Sequence, residues 1–218
     1  MALLDALHTF YSTDLAFGLV SACIALFIAG YGLKNYLLTK NRISLFFSSS
    51  FFFIAAGLFS RVIFDYLVKF ELTYNPRIIA LQGMTSLQST MLFFSIFLIT
   101  SGYIFLIALF FKIKSKRVIA LLITLVALLT ISTSNAYLTA HVIPAVLLFY
   151  ILLHTTDNFL QKRNRNTFLV LASFVILFAS ELFFLLILKS INFYFVGSSL
   201  RVFAYLLLLT NMLLVLKK

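Results

Sequence analysis

The 218-residue chain is 63% hydrophobic and 11% charged, with a mean hydropathy of +1.11 and a formal net charge of +11. Apolar residues make up only about half of a soluble domain, so water is excluded as the solvent of this chain. A bilayer core about 30 Å thick needs roughly 20 apolar residues per crossing, which leaves room here for seven spans with short loops and no soluble domain.

In chain order, the N-terminal stretch carries Asp5 and Asp14 in place of a basic region, and no small-residue cleavage site follows the first apolar run. Met1 onward therefore reads as mature protein. The single cysteine, Cys23, lies in that run and reads as a small buried hydrophobe, so no intrachain disulfide is possible. Apolar runs predict spans at about 15–36, 44–68, 80–112, 118–134, 136–156, 167–188 and 195–215. The expected fold is all-α, a polytopic seven-transmembrane-helix bundle forming a single domain over 1–218.

The third run is too long for one crossing and opens with Asn75-Pro76, a helix start with proline at its first position. That helix is expected to project from the membrane. Only Thr133 to Ala136 separates the fourth run from the fifth, which predicts a tight helical hairpin. With no Trp among its aromatics, the chain must build its interfacial belt from Tyr, including Tyr36, Tyr66, Tyr74, Tyr137 and Tyr194.

Lysine and arginine set the orientation. Lys34, Lys40, Arg42, Lys112, Lys114, Lys116, Arg117, Lys162, Arg163, Arg165, Lys217 and Lys218 all fall on one side of the count, with Asp157 the one acid among them. The remaining five cations and five acids cancel, so the whole +11 sits on one face. That face is expected in the cytoplasm, which puts the N-terminus outside and the C-terminus inside a cell (plasma) membrane. Short loops without interleaved aromatics argue against nucleic acid; anionic lipid or a docking protein suits the basic face better.

Charges at membrane depth are costly and mark either a site or an internal clamp. At 1.5 Å per residue, Arg61 and Asp65, His141, Glu181, and Arg201 fall within roughly 12 Å of the outer boundary on four different spans. Gln82, Ser86 and Gln88 are placed at or just above this layer, and Ser198 and Tyr205 share the helix face of Arg201. Two readings follow. Arg61 could pair with Asp65 along its own helix and Arg201 with Glu181 across the sixth and seventh, the charges only fixing helix packing. Alternatively, two arginines and a histidine leave positive charge to spare and face an outward polar cavity. That cavity would bind a small polar or anionic ligand or a lipid headgroup through Arg61, Asp65, Gln88, His141, Glu181, Arg201 and Tyr205. The inner half would be sealed by Phe, Leu and Ile. Pro144 frees the carbonyl of Ala140, so a kink is expected beside His141.

No histidine, cysteine or acid is spaced to complete a metal site, no glycine-rich loop offers a phosphate cradle, and no serine motif suggests intramembrane catalysis. No cofactor and no enzymatic activity are expected. The seventh span lacks a mid-helix lysine for retinal, and Asp-Arg-Tyr and Asn-Pro-x-x-Tyr are absent. In topology and in its outward polar layer, the chain resembles the seven-helix sensor modules that precede histidine kinases in bacteria and archaea. The resemblance implies a sensor whose output partner docks separately, since the chain stops just after its last span. A small-solute or ion transporter and a structural or accessory subunit are the alternatives.

Overall fold

The computed structural model describes residues 2–74, 86–113, 115–132, 136–186, 190 and 192–216, without the side chains of 2–11, 71–74, 86–89, 136–137 and 216. These residues form seven helices: α1 (Ala2–Thr39), α2 (Arg42–Tyr74), α3 (Ser86–Phe110), α4 (Lys116–Ser132), α5 (Ala136–Lys162), α6 (Arg165–Leu185) and α7 (Asn192–Leu216). All but α4 carry a stretch long and apolar enough to cross a membrane, six in total. The molecule is a multi-pass, all-helical membrane protein. Large exposed side chains such as Phe27 (63%), Leu38 (73%) and Ile131 (75%) are its lipid-facing surface.

Two helices outgrow the bilayer, α1 with 38 residues and α2 with 33, the latter about 50 Å long; α3, the run expected to project, is described only from Ser86. The Asn75-Pro76 start lies outside the described residues, as do 133–135 of the expected α4–α5 hairpin. Helix α1 reaches 38 residues and carries Asp14 into its spanning segment, which begins at Ser12.

Helix α1 packs on α2, α2 on α3, α3 on α5, α5 on α6, α6 on α7, and α7 back on α1. Six helices thus close a ring, and α4 packs outside it against α3. The central core draws Ala25 and Ile28, Ile54 and Leu58, Tyr103 and Leu106, Leu148, Leu177, and Ala204 and Tyr205 from those six helices and nothing from α4. Ile119 and Val126 of α4 join a separate small cluster with Ile104 and Ala108 of α3, while Leu121, Leu125, Leu128 and Ile131 point away from the protein. One narrow buried stripe on an otherwise apolar helix is what a lipid-bathed outer helix requires.

Direction along the ring follows from who meets whom. Ser95 and Ile96 of α3 share a pocket with Ala140 and His141 of α5, and Phe110 at the far end of α3 meets His154, with ring centroids 5.5 Å apart. Neighbours α3 and α5 therefore run parallel. The chain has to return the length of the bundle between them, and α4, 17 residues and about 25 Å long, is the segment that does so.

Helices α2 and α3 approach each other at the backbone. A methyl group on Gly102 would sit 2.5 Å from Ile54 Cγ1 and 2.7 Å from the carbonyl of Ser50, and one on Gly57 2.9 Å from the Ile99 amide and the Ser95 carbonyl. Backbone contact of this kind is how helices gain packing energy in lipid, where no hydrophobic force drives them together. Serine hydroxyls supplement it: Ser48 donates to the Ala29 carbonyl of α1 at 2.7 Å and Ser60 to the Met91 carbonyl of α3 at 3.2 Å. At the far ends of α1, α3 and α5, Lys40, Lys112 and Arg163 take φ of 52°, 53° and 44°. Glycine is the usual choice there, and cations instead complement three helix C-termini.

Candidate functional site

Glu181 is the hub of the buried polar layer. It is 2% exposed on α6, and Arg201 Nη2 of α7 donates to its Oε1 at 3.0 Å while His141 Nδ1 of α5 meets its Oε2 at 2.7 Å. A carboxylate only accepts, so Nδ1 carries the hydrogen. Three helices are thereby tied through one side chain. Phe184 lies one turn along α6 from Glu181 and serves as the platform for both partners: the Arg201 guanidinium sits 4.3 Å above its ring centroid and the His141 ring stacks on it at 4.7 Å. The ring holds the Arg201 guanidinium by a cation–π contact.

Five of the seven sequence-predicted site residues, Arg61, His141, Glu181, Arg201 and Tyr205, line one pocket, together with Ser95, Tyr103 and Ala140. The shared depth read from the sequence is therefore a shared location. Ala140, whose carbonyl Pro144 leaves without its helical partner, is part of the lining, although α5 runs unbroken through the proline. The space is small, about 20 Å³, enough for one water molecule. The roomy outward cavity expected for a ligand is thus, in this conformation, too small for one.

The pairing of Arg61 differs from expectation. Its partner is Asp14 of α1, at 3.9 Å, and not Asp65 one turn away on its own helix. Asp14 stands at the start of the first apolar run, where it reads from sequence as part of a tail, yet it is 7% exposed. Counting it changes the balance: among the described residues the layer holds two arginines against three carboxylates, so the expected surplus of positive charge is not there. Asp65 is 1% exposed, and neither of its oxygens has a hydrogen-bond partner. The Gln88 side chain, like Gln82, lies outside the described residues.

Besides Asp14, sequence reasoning missed Phe184 and Tyr103. Phe184 carried a signal, its spacing of three from Glu181, but 26 other phenylalanines hid it. Tyr103 is 1% exposed and meets Tyr205 in the pocket wall; nothing in its surroundings "SGYIF" distinguishes it from an interfacial tyrosine. A space of about 250 Å³ opens at the α5–α6 turn, lined by Thr155, Asn158, Lys162, Asn164, Thr167 and Asn211 among others. Asn164 caps α6 there, its side chain accepting from the Thr167 amide at 2.8 Å.

Among the described residues no group of three or more His, Cys, Asp or Glu side chains could hold a metal ion. Fold and site together define a multi-pass helical membrane protein with a paired charge cluster inside its ring. No protein-family model matches the chain, and neither a curated protein nor a solved structure matches it.

Proposed function

We propose that the chain is a receptor-like sensor module of seven spans, with the N-terminus outside and the C-terminus in the cytoplasm of the plasma membrane. Parallel α3 and α5, joined by α4, support the seventh crossing. The confinement of +11 to the loops on one side supports the orientation. In this reading Glu181 is a built-in anion that occupies the Arg201 and His141 site at rest. A small external anion or lipid headgroup competes for those two donors, frees Glu181, and lets α6 and α7 shift against α5. The motion is then read on the basic face by a separate partner. The carrying observation is that one carboxylate on α6 is held by an arginine and a histidine from two other helices beside a space of about 20 Å³.

Chemical rescue tests this. Glu181→Ala in detergent is expected to unfold at lower temperature than wild type, and acetate is expected to restore stability in a saturable way, with the rescue absent from Glu181→Ala combined with Arg201→Ala. Acetate without effect on the single variant, or equally effective in the double, would contradict an anion-accepting site. The small volume also suits a second reading, an accessory subunit whose charges only lock the bundle, and a failed rescue would favour it.

A further inference from the structure

Asp65 is the most anomalous group in the molecule. It is 1% exposed on α2 and both of its oxygens lack a hydrogen-bond donor, although buried polar atoms are satisfied in the great majority of cases. Its near neighbour is a second carboxyl, Asp14 of α1, within hydrogen-bonding reach. Two carboxylates offer only acceptors to each other, and like charges at that separation in a water-poor interior do not both persist.

Among the described residues, the charged and titratable groups facing the pair are few. Arg61 of α2 lies 3.9 Å from Asp14, and Tyr194 of α7, 3% exposed, faces Asp14. Lys69 stands one turn beyond Asp65 on α2, and α3 carries no charged residue between Ser86 and Phe110. One guanidinium thus serves two carboxyls. Among the described residues no donor is placed between the two oxygens of Asp65 and Asp14, and a single hydrogen ion supplies both that donor and a positive charge.

We propose that Asp14 and Asp65 form a proton site, one hydrogen bridging the two carboxyls between α1 and α2 while Arg61 balances the carboxylate that remains. Arg61 also lines the Glu181 pocket, but Asp14 and Asp65 do not, so a proton held between those two carboxyls is read separately from any anion at Arg201. Its consequence is a proton-sensitive contact: removal of the hydrogen leaves two like charges between α1 and α2 and pushes those helices apart.

Infrared spectroscopy of the full chain in lipid, with carbon-13 introduced only into aspartate, reads the proton directly. At neutral pH the wild type is expected to show a carboxylic-acid carbonyl band that moves with the label and with deuteration. That band should be lost in Asp65→Asn and in Asp14→Asn, two substitutions of equal size, either of which suffices if the other fails to fold. A wild type without a protonated aspartate band would overturn the proposal, as would a band unchanged in both variants. A band seen only when sodium is replaced by choline would also overturn it, because a metal cation would then be the natural occupant.

Discussion

Glu181→Ala is expected to destabilise the protein by about 3–5 kcal/mol, the cost of leaving buried charge without its counter-ion. Arg201 and His141 would lose a partner at 3.0 and 2.7 Å respectively, and Phe184 offers neither a hydrogen-bond acceptor. Most of that penalty belongs to the orphaned groups, not to the bonds themselves. Replacing the whole cluster by Glu181→Leu, Arg201→Leu and His141→Phe should therefore recover most of the loss. Unfolding of the purified protein in mild detergent checks both. A single variant within about 1 kcal/mol of wild type would mean that the cluster is far more hydrated than its burial indicates.

Gly102→Ala should have the other large effect, destabilising by about 1–3 kcal/mol through overpacking. The added methyl meets Ile54 Cγ1 at 2.5 Å, which a side chain can partly relieve, and the Ser50 carbonyl at 2.7 Å, which is backbone and can move only if α2 and α3 separate. Gly30→Ala is the matched control: nothing lies within 4 Å of its methyl position, and helix propensity alone favours alanine by up to about 1 kcal/mol. Opposite signs for the two substitutions, read from the same unfolding assay, would place the α2–α3 contact at the backbone. Equal effects would contradict it.

Much of this architecture was legible because lipid imposes simple rules. Runs of apolar residues located every helix from α1 to α7, since an unpaired backbone is not tolerated in hydrocarbon. Converting position to depth brought Arg61, His141, Glu181, Arg201 and Tyr205 to one level, and those five do line one pocket. Depth, however, is a single coordinate. It says nothing about rotation around each helix axis, so the choice of Asp65 as the partner of Arg61 went to sequence proximity when the geometry had selected Asp14. Helix order around the ring was equally hidden: nothing in the run 118–134 shows that it packs outside while its neighbours close on each other. The same missing coordinate concealed Phe184, whose role depends on which side of α6 faces Arg201 and His141.

The two polar groups of the layer have separate consequences. The Glu181 cluster ties α5, α6 and α7, and the Asp14, Arg61 and Asp65 cluster ties α1 to α2. A bundle clamped at two places on its ring, each by a few charges in low dielectric, is suited to discrete rearrangement because a buried pair is either made or broken. Sensor-like behaviour, on this view, would come from the clamps rather than from a large cavity.

The proposed seven-span topology rests on α4 crossing between parallel α3 and α5, and accessibility labelling tests it most directly. Single cysteines at Ser115, Ser134 and Arg163, in a chain with Cys23→Ala, would be challenged in intact cells with a membrane-impermeant maleimide. The account predicts that Ser134→Cys labels from outside, while Ser115→Cys and Arg163→Cys label only after permeabilisation. Ser134→Cys protected along with the other two would mean that α4 does not cross, and would contradict it.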